Sequence, residues 1–184
     1  NSNVYMKKVL VISSSLRHGS NSETLAKEFA RGAKDAGNEV EYITLRGKEI
    51  KFCMGCFSCQ KTQKCVLRDD VPEIVGKMYD ADAIAFSSPI YFYELAGQLK
   101  TLLDRSYPLY PSGYRFRDIY ILTSAAENKE TTPERAIAGL SGWIDCYENA
   151  RLSGTVFAGG VNEPNEIEGH PSLKTAYDMG YGIK

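Results

Sequence analysis

The chain has little of what most often betrays a catalytic site. It holds two histidines and one tryptophan in 184 residues. His18 lies in a polar loop and reads as a solvated side chain, while His170 precedes a proline and reads as structural. Neither has a plausible triad partner nearby in sequence, which argues against a Ser-His-Asp arrangement. The carboxylates read as helix caps and solvated faces, with no pair set apart as acid and base. A basic excess is missing too. Lys and Arg number 22 against 23 Asp and Glu, a net charge of −1, so nothing asks for nucleic acid or an anionic membrane surface. No apolar run reaches transmembrane length and no signal peptide is visible, so a cytoplasmic protein is expected. Repeats and low-complexity tracts are absent. Asn1 to Tyr5 precede Met6 and read in part as an expression remnant.

What is present suits one globular domain over residues 1–184. The composition is 43% hydrophobic and 24% charged. Apolar runs at 7–15, 39–45, 82–89, 117–125 and 152–161 predict five strands. Between them lie helical patterns at 20–37, 69–81, 94–106 and 131–150, with a last one at 171–180. Ser20 and Glu23 have capping-box spacing, and Gly37 is a good terminator. Strands alternating with helices predict an α/β three-layer sandwich around a five-stranded parallel sheet, in the order 2-1-3-4-5. Ligands of such sheets bind beyond the carboxyl ends of the strands, at the switch point between the first and third.

The loop after the first strand, "SSSLRHGSNSET", is rich in hydroxyls and opens a helix. Free N–H groups at a helix N-terminus, with hydroxyls and the Arg17 guanidinium, make a cradle for a phosphate dianion. The glycine spacing is neither the dinucleotide fingerprint nor a Walker loop, which argues against a dedicated NAD site and NTP hydrolysis. The loop after the third strand, "SSPIYFYE", places aromatic and backbone groups beside that cradle. Such groups suit a flat heteroaromatic ring.

Four of the five cysteines fall in "CMGCFSCQKTQKC", at Cys53, Cys56, Cys59 and Cys65. In a reducing compartment such a cluster points to metal or redox chemistry before structural disulfides. Three thiolates wrapped on one loop, with Gly55 permitting the turn, and a fourth further on provide the four corners an iron–sulfur cube needs. Zinc ligation, a disulfide and empty reduced thiols remain open on spacing alone. Cys146, on an apolar helix face beside Trp143 and Ile144, reads as core packing.

The two loops together resemble the flavodoxin-like family of NAD(P)H-dependent FMN reductases. The family's phosphate loop, roughly Gly-Ser-Pro-Arg-x-x-Ser-Asn-Thr, appears here as residues 14–22. The resemblance gives phosphate-binding roles to Ser15, Arg17, Ser20, Asn21 and Ser22. Ser14 and Leu16 depart from the family's Gly and Pro. Its second flavin loop, Ser-Pro-x-Tyr, is present as Ser88, Pro89, Ile90 and Tyr91, with Phe92 next. A third flavin loop is expected at Thr123, Ser124 and Ala125. In "LKTLLDR", Lys100, Asp104 and Arg105 read as structural or interfacial. The cysteine pattern, and "CVLRDDVPEI" at its end, resemble the iron–sulfur flavoprotein branch, which implies Cys53, Cys56, Cys59 and Cys65 as ligands of a [4Fe-4S] cluster. The segment 46–68 is then a cysteine-rich loop inserted after the second strand.

The resemblance implies an FMN-dependent oxidoreductase that takes electrons from NAD(P)H, as a transient co-substrate, or from a ferredoxin-type donor. It passes them to a small acceptor such as a quinone or flavin. FMN would carry the chemistry, with no catalytic side chain. A homodimer or homotetramer is implied, and the aromatic segment "SYPLYPSGYRF" is a candidate contact surface. Two other readings are an electron carrier without turnover of its own and a redox or metal sensor with the cysteines as its switch.

Overall fold

The computed structural model describes residues 6–184; the expectation of an expression remnant at Asn1 to Tyr5 lies outside them. Its elements are β1 (Lys8–Ser13), α1 (Asn21–Asp35), β2 (Glu39–Thr44), α2 (Ser58–Thr62), α3 (Val71–Asp80), β3 (Ala83–Tyr91), β4 (Glu94–Leu95), α4 (Gly97–Asp104), a 3-10 turn (Tyr107–Leu109), β5 (Asp118–Ala125), α5 (Glu134–Asp145), β6 (Arg151–Gly159) and α6 (Ser172–Tyr181). Five parallel strands run in the order β2-β1-β3-β5-β6, which is the expected order once the short β4 is set aside.

Period-two alternation sorts side chains onto two faces. Leu10, Ile12, Ile84, Phe86 and Ile121 pack with Ile74 and Met78 of α3, Leu99 and Leu102 of α4, and Leu140 and Ile144 of α5. Val9, Val11, Ala83, Ala85 and Leu122 pack with Leu25 and Phe29 of α1 and Ala176 of α6. The result is a three-layer sandwich. α1 and α6 meet at glycines: a Cβ on Gly32 would sit 2.0 Å from the Tyr177 carbonyl oxygen, and one on Gly180 would sit 2.1 Å from that of Phe29. Among the described residues, no helix is long and apolar enough to cross a membrane.

Three local expectations change. β3 and β4 form a hairpin, with Ile90 opposite Leu95 and Tyr91 opposite Glu94. Its two-residue turn puts Phe92 (φ 50°) and Tyr93 (φ 64°) in the left-handed region. Asn and Gly normally fill such a turn, so no turn residue announced it. Ser20 caps α1 through its Oγ, 3.2 Å from the Glu23 N–H, but the Glu23 carboxylate is occupied by Tyr42 and Arg46 instead of closing the box. Cys146 is exposed at the end of α5, where its thiol donates to the Gly142 carbonyl at 3.4 Å. It is not core packing.

Candidate functional site

Because the five long strands are parallel, the loops leaving β1, β3, β5 and β6 gather at one edge of the sheet. They enclose a cleft lined by Ser15, Arg17, Ser20, Asn21, Pro89, Ile90, Tyr91, Ser124 and Ala125, nine of the thirteen expected flavin contacts. Ala126, Val161 and Asn162 complete it. The cleft has a volume of about 50 Å³, the scale of a phosphate group. The four other expected contacts stand apart. Ser22 is fully buried, with its Oγ 3.0 Å from the Ser20 Oγ. Ser88 turns its hydroxyl toward the hairpin, accepting from the Ala96 N–H at 2.9 Å and donating to the Pro89 carbonyl. Thr123 is buried in β5, and Phe92 projects from the hairpin tip, 98% exposed.

The cradle fits an anion. The Asn21 and Ser22 N–H groups at the start of α1 have no acceptor among the described residues. The Ser15 and Ser20 hydroxyls and the Arg17 guanidinium lie beside them. Arg17 Nη1 donates to the Asn162 carbonyl at 2.7 Å, and Nη2 stands 3.8 Å from Glu163, with the side chain still half exposed.

The loop's shape is held by residues the sequence did not single out. Gln98 Nε2 donates to the Ser14 carbonyl at 2.7 Å, and Ser87 Oγ donates to the Ser22 carbonyl. Arg46 Nη1 donates to the Arg17 carbonyl and to Glu23. Burial pushes the Glu23 carboxyl up, but hydrogen bonds from Tyr42 and Arg46 and the charge of Lys27 outweigh it and hold it below its ordinary value. Both ends of the Asn21 amide are used on the opposite loop: Nδ2 donates to the Glu163 carbonyl at 3.0 Å and Oδ1 accepts from the Ile167 N–H at 3.1 Å. Asn21 therefore latches the phosphate loop to the loop after β6. His18 is exposed, whereas His170 bridges the Gly159 carbonyl and the Ser172 N–H, a structural role.

The cysteine segment is clamped at its base. Asp69 accepts from the Lys51 N–H (2.8 Å), the Val71 N–H (3.0 Å) and both terminal nitrogens of Arg105, while Arg105 Nη1 also donates to the Lys51 carbonyl. Beyond this neck the chain carries the five-residue helix α2 and a left-handed Gly55. Cys53, Cys56, Cys59 and Cys65 line a single cavity whose other walls are mostly apolar, among them Met54, Phe57, Val66 and Tyr107. Cys53 and Cys56 are exposed, and Cys59 and Cys65 half-buried. Burial pushes the Cys59 thiol up, and the neighbouring Cys65, Cys56 and Cys53 add to it. Among the described residues, no three Cys, His, Asp or Glu side chains stand close enough to share one metal ion. A mononuclear zinc would draw its thiolates to about 3.8 Å from one another, from tetrahedral bonds of about 2.3 Å. A cube, with one corner per thiolate, holds them further apart. The four thiols line one mostly apolar cavity of about 40 Å³.

Part of the aromatic segment after α4 packs inside the chain. Phe116 is fully buried, and Tyr114, Phe116, Trp143 and Tyr147 stack in one cluster, leaving Tyr110 as its main exposed ring. A second cavity, of about 470 Å³, lies along α3 and shares no residue with the cradle.

The sequence profile of the NADPH-dependent FMN reductase family matches residues 7–129. An iron–sulfur flavoprotein of Methanocaldococcus jannaschii is 44% identical over 102 residues, 55% of this chain and 53% of the relative. One from Methanosarcina thermophila is 28% identical over 84% of this chain and 81% of the relative. The chain thus spans about half the length of the first of these curated relatives. Among solved structures, an NAD(P)H:quinone oxidoreductase from Methanothermobacter marburgensis superposes with a TM-score of 0.72 at 19% identity, over 96% of both chains, which is a likeness of fold.

Proposed function

The chain belongs to the NADPH-dependent FMN reductase family, and from that premise we propose that it is an FMN-dependent oxidoreductase that moves electrons from NAD(P)H to a small acceptor. The observation that carries the reading is the meeting of the β1, β3 and β5 loops around the open N-terminus of α1. Ser15, Ser20 and the first N–H groups of α1 hold the phosphate, with Arg17 supplying the positive charge. Asn21 and Ser22 act by fixing the loop. Pro89, Ile90 and Tyr91 support the ring, and Ser124 and Ala125 form the floor. When bound, FMN supplies redox chemistry that no side chain here provides. The protein binds, orients and partly shields it.

The cysteine cavity supports a [4Fe-4S] cluster on Cys53, Cys56, Cys59 and Cys65, and with it a ferredoxin-type donor as an alternative to nicotinamide. We place the molecule in the cytoplasm as a homodimer or homotetramer built from one flavin-binding domain. The exposed ring of Phe92 suits a subunit contact. The alternative function is a flavodoxin-like carrier without turnover. Steady-state oxidation of NADPH and NADH by the FMN-loaded protein, with a quinone as acceptor, separates the two. Saturable turnover supports the enzyme; reduced flavin that forms without catalytic turnover supports the carrier.

A further inference from the structure

Arg105, at the end of α4, is only 2% exposed, and its N–H groups are unevenly used. Nη1 donates to the Asp69 carboxylate and to the Lys51 carbonyl, both at 2.7 Å, and Nη2 donates to the other Asp69 oxygen at 3.0 Å. The Nε–H has no acceptor among the described residues. Buried donors are normally paired, so an unpaired one on a charged group calls for an acceptor that the protein gains in another state.

The cysteine segment supplies it. Arg105 lines the four-cysteine cavity together with Cys65, and the Cys65 sulfur stands beside the guanidinium. A neutral thiol is a weak acceptor, so it leaves the donor unanswered. A thiolate is a strong one, and a thiolate is the form in which cysteine holds a metal centre. The guanidinium cannot turn elsewhere. Asp69 grips it, and Asp69 is itself fixed by the Lys51 and Val71 N–H groups. Cys53 is served differently: its sulfur accepts from the Gly55 N–H at 3.4 Å, inside the segment. Cys65 is where the body of the fold, through α4, reaches the cavity.

We propose that Arg105 is a positioning residue for the four-cysteine centre, whose Nε–H donates to the Cys65 thiolate and thereby raises the reduction potential of the cluster. The inference rests on the [4Fe-4S] reading above. Its direction follows from charge. An electron added to a cluster increases the negative charge on the ligating sulfurs, so a fixed donor stabilises the reduced form more than the oxidised one. Because Asp69 answers the charge of the guanidinium, the effect works through the N–H bond and not through a free cation.

Among the described residues, Arg105 is the only arginine in the wall of this cavity, which gives a test that needs no substitution. Protein labelled with ¹⁵N only in arginine is purified without oxygen, reduced with dithionite and examined by pulsed EPR. The reduced cluster should show a coupling to ¹⁵N. Arg105→Lys keeps a charge against Asp69 but puts a methylene where Nε stands. It should abolish the coupling and make reduction about tenfold less favourable, a drop of about 59 mV for one electron, read by EPR-monitored redox titration. A cluster signal without ¹⁵N coupling in the parent, or a potential in Arg105→Lys equal to the parent's, would overturn this proposal and leave the cluster reading standing. Parent protein with no iron would overturn the cluster reading, and this proposal with it. If Arg105→Lys does not fold, the coupling in the parent decides alone.

Discussion

Arg105 and Asp69 face each other in a two-pronged ion pair at 2.7 and 3.0 Å, with side chains 1% and 0% exposed. They come from opposite ends of a 36-residue separation, and the carboxylate also holds the Lys51 and Val71 N–H groups. The pair therefore joins α4 to both ends of the cysteine segment. A pair buried this deeply contributes mainly through what its breakage costs.

Removing one partner strands the other charge. Asp69→Ala should lower stability by about 3–5 kcal/mol. The double variant Asp69→Leu/Arg105→Met should lose less than the single one, because no buried charge is left behind. Urea unfolding of the three proteins checks the order; a double variant weaker than Asp69→Ala would refute it.

The same pair sets an acid limit. Burial pushes the Asp69 carboxyl up, but Arg105 and the two backbone N–H groups outweigh it and bring it from the ordinary 3.8 down to about 2. Because the folded value lies below the unfolded one, the stabilisation is complete above about pH 4 and drains away as pH falls toward 2. It amounts to about 2 kcal/mol. Asp69→Asn should flatten that part of the stability curve, measured as urea midpoints between pH 5 and 2.

Gly32 and Gly180 fix the approach of α1 to α6. Alanine at either position would put a Cβ about 2 Å from a carbonyl oxygen of the other helix, so the helices must separate. Gly32→Ala should cost about 1–3 kcal/mol, as overpacking does, despite alanine's better helix propensity. A thermal midpoint equal to the parent's would contradict it.

Arg17→Ala should weaken FMN binding by about 1.5–3 kcal/mol, the loss of one charge-assisted bond. Flavin fluorescence titration measures it directly. Asn21→Ala keeps the backbone N–H but frees the Glu163 carbonyl and the Ile167 N–H, so it should loosen the same loop and weaken binding as well.

The sheet order was legible because five apolar runs alternate with amphipathic helices, and that pattern admits few topologies. The cradle was legible because its parts lie in three short stretches at strand ends. Two kinds of feature were not. The β3–β4 hairpin turns on Phe92 and Tyr93, residues that do not ordinarily adopt a left-handed conformation, so local propensity pointed elsewhere. Long-range polar contacts also left no periodic trace. Arg105 reads from the sequence only as structural or interfacial, and neither Gln98 on Ser14 nor Arg46 on the Arg17 carbonyl can be read from spacing. Ser88 sits in the expected motif, yet its hydroxyl is taken by the Ala96 N–H and the Pro89 carbonyl.

The central claim is that one chain holds a flavin in the β1–β3–β5 cradle and an iron–sulfur cluster in the four-cysteine cavity. It is tested most directly by measuring FMN, iron and acid-labile sulfide per chain on a single sample purified without oxygen. The account predicts about one FMN with about four iron and four sulfide, and loss of the iron and sulfide alone in Cys65→Ser. Protein that is free of flavin and cannot be loaded with FMN, or that carries FMN but no iron when prepared this way, would contradict it.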